Sequence, residues 1–240
     1  MTQQCQIDAS PIDRLNQIAK LKESSHQISN ANFLSNYLFI LDRLKEDFED
    51  LRFEALLALE FIYQANVDWF SKESFSAESG STLTLNDALF LQACSMITDV
   101  VPSIRQHACH LLGQIKNVKL EYLLQAFSRE PKSITLESTQ LDSGSNFQLD
   151  NVISGALISA LEDEYESVRI EAIRAIHQIS LDNLEFAKQA FDVLTDMFND
   201  EIEQVRIEAI QAIFLIGLQY RSVRIDDDGT KSLKSVLNDV

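Results

Sequence analysis

Four arginines set a register that runs through most of this chain. Arg52, Arg105, Arg169 and Arg206 each follow an acid by six residues, at Glu46, Asp99, Asp163 and Asp200. An aliphatic residue immediately precedes each (Leu51, Ile104, Val168, Val205), and alanine stands three residues after each (Ala55, Ala108, Ala172, Ala209). At +7 come Leu59, Leu112, Ile176 and Ile213, and at +10 come Ile62, Ile115, Ile179 and Ile216. Steps of four, four and three draw a single apolar stripe along an amphipathic helix. Upstream, positions −12 (Ile40, Ala93, Leu157, Leu194) and −8 (Leu44, Ile97, Leu161, Phe198) are apolar in every copy, which gives a preceding helix. The acid then falls in the short turn between the two. One such pair cannot bury its own stripe, so neighbouring pairs have to stack.

The register predicts helix pairs near 33–66, 85–116, 151–180 and 183–219. The last two copies, 163–179 and 200–216, agree at 12 of 17 positions, and their arginines are 37 residues apart. The other spacings are 53 and 64 residues, because polar inserts at 71–84 and 129–150 read as loops. Only 6 glycines and 3 prolines occur in 240 residues, against average usage of about 7% and about 5%. Such scarce turn punctuation disfavours sandwiches and barrels. A short helix is expected over 11–23, with Ser10 as its cap and Pro11 in its first turn. Residues 1–32 therefore read as an N-terminal segment and 33–240 as the repeat array. From 229 to 240, Leu233, Val236, Leu237 and Asp239 read as the first helix of a truncated fifth unit.

A helix pair with acid in its turn and Val-Arg opening the second helix resembles the HEAT repeat. The tetratricopeptide alternative needs a Trp-Leu-Gly-Tyr pattern, and the one Trp, Trp69, lies outside the register. The expected fold is thus all-α: a right-handed superhelix of antiparallel helix pairs. The segments 155–169 (GALISALEDEYESVR) and 196–206 (DMFNDEIEQVR) are further similar to consecutive repeats of the Integrator complex subunit 4 family. Met96-Ile97-Thr98-Asp99, Ile104-Arg105 and Leu111-Leu112-Gly113 fit the same pattern. The resemblance spans roughly residues 33–240 and is close over 152–216. It implies a nuclear, non-enzymatic scaffold of an assembly that cleaves nascent small nuclear RNAs and other RNA polymerase II transcripts. Its implied partners are other protein subunits of that assembly. The family's C-terminal region, which holds two metallo-β-lactamase-fold subunits, has no counterpart in these residues.

The residues alone narrow the chemistry as well. With 37 acidic and 20 basic side chains the formal net charge is −17, opposite to the basic face that nucleic-acid binding demands. Residues 142–240 carry net −11 and residues 1–141 net −6. That imbalance suits either solubility or a basic partner. Phe48, Phe53, Phe61 and Phe75 gather near the first unit. No apolar run is long enough to span a membrane, and the N-terminus lacks signal-peptide features. Three cysteines, Cys5, Cys94 and Cys109, have no metal-type spacing and suit a reducing compartment.

His107 and His110 share a helical face, but a structural zinc needs about four ligands. Cys109 holds the +4 place that Leu56, Ile173 and Ile210 fill elsewhere, so it reads as core. His177 aligns with Phe214 and reads as packing. There is no phosphate-cradling glycine loop and no nucleophile–base set, so no cofactor, metal or catalytic residue is expected. Glu46, Arg52, Asp99, Arg105, Asp163, Arg169, Asp200 and Arg206 read as structural, the Asp or Glu capping a helix and the Arg tying the turn to a carboxylate of the same or the next unit. Other function classes remain: a HEAT adaptor in transport or on a phosphatase, or an enzyme on a HEAT-like frame such as a bilin lyase or a DNA glycosylase. The −17 charge opposes the glycosylase.

Overall fold

The computed structural model describes residues 10–23, 30–72, 74–76, 82–129 and 153–220. The expected fifth-unit helix, the interior of the 129–150 insert and Cys5 lie outside the described residues. Contacts divide the chain into two compact units, Met1–Lys72 and Glu73–Val240. All twenty-four apolar positions of the register, from −12 to +10 in four copies, are 6% exposed or less. The stripe read from spacing is therefore the packed core of each helix pair.

The first unit contains α1 (Pro11–Glu23), α2 (Asn30–Arg43), α3 (Glu49–Ala65) and α4 (Val67–Lys72). The α2–α3 pair carries the first copy of the register. Ser10 accepts the Asp13 N–H at 3.2 Å and starts α1. α1 packs on α3 and ties to the α2–α3 pair through Arg14–Glu46 and Lys22–Glu54, at 2.7 and 2.8 Å. It thus fills the place that the second helix of a preceding pair would take. α4 closes an aromatic cluster. Phe70 is fully buried, with edge contacts to Tyr37 and Tyr63 at 5.9 and 5.2 Å between centroids. Trp69 lies 3.8 Å from the Phe33 ring. Of the phenylalanines near this unit, Phe48 and Phe61 are exposed and Phe53 is half-buried.

The second unit opens with a two-stranded antiparallel hairpin, β1 (Ser74–Ser76) and β2 (Thr82–Thr84), paired Ser74 with Thr84 and Ser76 with Thr82. The expected 71–84 loop is corrected by these strands and by the end of α4. Thr84 then starts α5 (Leu85–Met96) through a reciprocal cap with Asp87. The fully buried Asp87 also accepts the Lys119 N–H at 2.9 Å, fixing the loop after α6 (Pro102–Gln114).

The remaining elements are α7 (Leu120–Phe127), α8 (Ala156–Leu161), α9 (Glu166–Asp182), α10 (Leu184–Asp196), a 3-10 turn (Met197–Asn199) and α11 (Glu203–Gln219). α5, α8 and α10 hand over to α6, α9 and α11 through the acidic turns. The inner helices stack in series, α6 on α9 and α9 on α11.

The third pair departs from expectation. Its outer helix was expected to begin near residue 151, yet it is built from two pieces, α7 and α8, that both pack on α5. The Gly155 N–H donates to the Gln125 carbonyl at 3.2 Å, and the Gln125 amide donates to Ser154 Oγ at 2.9 Å. Gly155 makes this junction in the left-handed region, at φ 70°, which favours glycine. Phe127 meets Phe186 of α10 edge-on at 4.8 Å. α7, LEYLLQAF, also matches the start of α10, LEFAKQAF, at five of eight positions. Removing residues 128–154 shortens the Arg105–Arg169 spacing from 64 to 37, the Arg169–Arg206 spacing. The insert therefore interrupts an outer helix instead of separating two pairs.

Among the described residues no helix is long and apolar enough to cross a membrane.

Two stability tests follow from this packing. Ala172 and Ala209 are 0% exposed, so Ala172→Asp or Ala209→Asp should cost at least about 3 kcal/mol by burying an unpaired charge. An unchanged thermal melt would show the stripe to be unburied. The second test contrasts two inner-helix glycines. A Cβ on Gly113 would meet the Ala175 Cα at 2.9 Å, whereas one on Gly217 meets nothing within 4 Å. Gly113→Ala is expected to destabilise by about 1–3 kcal/mol. Gly217→Ala is expected to stabilise by about 0.5–1 kcal/mol. Chemical denaturation measures both.

Candidate functional site

The polar register forms a series of rungs. In each unit the arginine reaches back across its own turn and donates through Nη1 to the carbonyl of the acid six residues earlier. The distances are 2.9 Å for Arg52–Glu46, 2.9 Å for Arg105–Asp99, 2.8 Å for Arg169–Asp163 and 2.9 Å for Arg206–Asp200. The acid's carboxylate is thereby left for other partners. Asp99, Asp163 and Asp200 each accept the N–H two residues on, from Val101, Tyr165 and Ile202, at 2.8–3.0 Å. These bonds satisfy the chain just ahead of α6, α9 and α11, none of which has a side-chain cap at its first position.

The same carboxylates receive the arginine of the preceding pair. Arg105 grips Asp163 with Nε at 2.6 Å and Nη2 at 2.9 Å, a bidentate fork. Arg169 donates from Nη2 to Asp200 at 3.0 Å, and its Nε stands 2.9 Å from the other oxygen. The side chains of both pairs are no more than 10% exposed. The Arg105 guanidinium also lies over the Tyr165 ring, 5.5 Å from its centroid. Of the two alternatives open in sequence, the inter-unit pairing is the one formed at these two rungs. In the first unit, Glu46 is taken by Arg14 and Arg43, at 2.7 and 2.6 Å. Arg14 holds the place of a preceding unit's arginine.

Burial raises the Asp163 carboxyl. The Arg105 hydrogen bond, the Tyr165 N–H and the charges of Arg105 and Arg169 outweigh burial and hold it below the usual carboxylate value. The Asp163 hydrogen bond is the main cause that raises the partner guanidinium.

A second series, missed in sequence, runs along the inner helices. Glu171 and Glu208 both stand two residues after a register arginine, and Arg174 stands five after. Arg174 forks onto Glu208 at 2.9 and 3.1 Å and touches Glu171 at 3.3 Å. His110, also at +5, places Nδ1 2.7 Å from Glu171, while Gln114 faces its Nε2 at 2.7 Å. A neutral imidazole protonated on Nδ1 satisfies both contacts. The signal was an acid at +2 in the third and fourth copies, with His110 and Arg174 at +5 in the second and third.

His107 and His110 have ring centroids 5.7 Å apart. No group of three His, Cys, Asp or Glu able to hold a metal occurs among the described residues. Cys94 and Cys109 are fully buried, and burial pushes both thiols up, which makes them poor nucleophiles. His177 is half-buried on α9. Burial lowers its pKa and Glu208 opposes the shift.

Stacked helix pairs joined by these rungs define an all-α repeat protein of the HEAT/armadillo type. A designed armadillo repeat protein, solved in complex with the peptide (KR)4, shares this fold at a TM-score of 0.50 and 18% identity, covering 93% of this chain and 90% of its own. The family of nuclear condensing complex subunits, C-terminal domain, matches residues 133–238.

The chain is similar to Integrator complex subunit 4. It is 29% identical to the Drosophila melanogaster protein over 190 residues, covering 68% of this chain and 18% of that protein. It is 25% identical to the Homo sapiens protein over 183 residues, covering 65% and 19%. Protein SIEL of Arabidopsis thaliana is 29% identical over 112 residues, covering 46% and 12%. The chain thus spans less than a fifth of the length of these relatives. The resemblance read from the repeat residues is borne out.

Arg105→Ala is expected to cost about 3–5 kcal/mol, since it leaves Asp163 charged and unpaired. The pH dependence has a definite sign. A carboxyl held below its unfolded value adds stability that is fully present above about pH 4 and is lost as pH falls through the folded value. Asp163→Asn should therefore be less stable at neutral pH and show a shallower decline of Tm on acidification. Thermal melts between pH 7 and pH 2 measure this, and parallel curves would refute the assignment.

Proposed function

We propose that this chain is a non-catalytic, protein-binding scaffold of an Integrator-like nuclear assembly that processes the 3′ ends of small nuclear RNAs. The similarity to Integrator complex subunit 4 over about two thirds of the chain carries this proposal. Physics is compatible with it, because stacked helix pairs offer a long surface over which partners can spread. A formal charge of −17 favours protein partners over direct RNA contact, since an acidic array repels phosphates. The division into an N-terminal segment over 1–32 and an array over 33–240 belongs to the same proposal. So do the structural roles of Glu46, Arg52, Asp99, Arg105, Asp163, Arg169, Asp200 and Arg206. A second function, a repeat adaptor in a nuclear condensing complex, is favoured by the family match over 133–238.

Affinity purification of the tagged chain from nuclear extract, followed by mass spectrometry, separates the two. Recovery of Integrator subunits is the expected outcome, and recovery of condensing-complex subunits in their place would favour the second function. RNA binding by the isolated chain that weakens with salt would overturn the protein-only mode.

A further inference from the structure

α1 carries one face of an inner helix and lacks the other. Counted from Arg14 as its register arginine, Ile18 stands at +4 and Lys22 at +8. These are the places of Ile173 and His177 on α9, where Ile173 is 0% exposed and His177 lies within reach of the Glu208 charge on α11. α1 uses both places in the same way. Ile18 is 0% exposed, and Lys22 donates at 2.8 Å to Glu54, the +2 acid of α3. At −1 and +3, where the inner helices have an aliphatic residue and alanine, α1 has the exposed Asp13 and Gln17. It can cover the pair that follows it, but it cannot seat an outer helix of its own. A helix with a polar outer side is what closes the end of a stack.

α11 leaves open the places that α1 fills. Its own stripe is buried, with Val205, Ala209, Ile213 and Ile216 no more than 3% exposed. The Arg206 Nη1 holds the Asp200 and Glu201 carbonyls at 2.9 and 3.2 Å. Arg105 and Arg169 also grip the next unit's carboxylate, yet among the described residues no carboxylate faces the Arg206 guanidinium. Ile210, at +4, is half-buried, and Phe214, at +8, is 63% exposed.

The chemistry that would complete α11 stands beneath α1. Glu46 is the register acid of the first unit and is held by Arg14 at 2.7 Å. Phe61 of α3 remains 47% exposed, with Lys22 Nζ 5.3 Å from its ring centroid. Within α1 itself, Ile18 alone is buried, so the cover is light.

From these two ends we infer that α1 is an autoinhibitory cap: it occupies the face of α3 on which α11 of a second copy docks head to tail. The incoming Arg206 takes Glu46, Ile210 takes the place of Ile18, and Phe214 meets Phe61 where Lys22 lay. Such a contact joins unlike surfaces, so it propagates from copy to copy unless one of the two ends is covered. α1 provides that cover.

Sedimentation velocity of the full chain over a concentration series tests this. The wild type is expected to remain monomeric. Arg14→Glu/Ile18→Glu breaks the cap's ion pair and its buried contact, and should yield dimers and longer species that grow with concentration. Adding Phe214→Asp, at an exposed position, should return this released chain to monomer. Adding Glu46→Gln should weaken its association about tenfold, the scale of one charge-assisted hydrogen bond. Should Arg14→Glu/Ile18→Glu lose more helix by circular dichroism than α1 contains, Arg14→Glu/Lys22→Glu, which leaves Ile18 seated, takes its place with the same expectations. A released chain that stays monomeric would overturn the inference. So would association that survives Phe214→Asp or is unchanged by Glu46→Gln, and so would a wild type that associates as the released chain does.

Discussion

An arginine guanidinium has five N–H donors in a fixed planar fork, and the inner helices of this chain divide that fork between two neighbours. One arm closes the arginine's own turn by holding two backbone carbonyls. At Arg105 and Arg169 the other side clamps the carboxylate of the following turn. The turn carbonyls would otherwise be left without partners, and the carboxylate simultaneously accepts an N–H ahead of the next inner helix. A shift of one pair against the next would break several charge-assisted bonds at once. Buried pairs of this kind set geometry more than they add net stability. The stability comes from the stripe, and the rungs fix the register at which the stripes meet.

That division explains how the second unit tolerates an interruption inside a helix. The outer helix of its third pair is split between α7 and α8, and residues 128–154 are inserted at the split. Both pieces still pack on α5, α7 also packs on α10, and α8 also packs on α9. The inner helix with its arginine is continuous, so both rungs through Asp163 and Arg169 form. An insertion in an outer helix costs a hydrogen-bonded turn, which the Gly155 and Gln125 contacts partly replace. An insertion between Asp163 and Arg169, at the start of α9, would displace Arg169 from its own turn and from Asp200 together.

Much of this was legible in sequence because burial follows spacing. Every stripe position could be named before any coordinates, since a period of 3.6 leaves one face to bury. The rungs were legible only as a set of residues. An acid six residues before an arginine is compatible with pairing inside the turn or across it, and the backbone carbonyls that decide the matter carry no sequence signal. α7 was missed because the insert displaced it from the arginine used as origin. Its sequence signal is the likeness to LEFAKQAF at the start of α10. The Arg174–Glu208 series was missed for a different reason. In sequence, charges at +2 and +5 look like an ordinary solvated face; only with neighbouring inner helices side by side is Glu171 seen to be buried and Glu208 partly covered. In the first unit, α1 matched no copy of the stripe, yet Arg14 and Lys22 reproduce both kinds of rung.

The acidic charge also has a local physical account. Glu49 and Asp50 stand in the first turn of α3, Glu166 in that of α9 and Glu203 in that of α11. Asp47, Glu164 and Glu201 lie just ahead of the same three helices, and all seven residues are exposed. These helix starts lack side-chain caps, and carboxylates there meet the positive end of the helix dipole, each by about 0.3–1 kcal/mol. The turn acids at Asp163 and Asp200 are neutralised by their arginines and present little field to a partner. A good part of the excess negative charge is thus placed by the fold, one cluster at the start of an inner helix. The clusters are exposed because each sits on a turn, outside the buried stripe of its own helix pair.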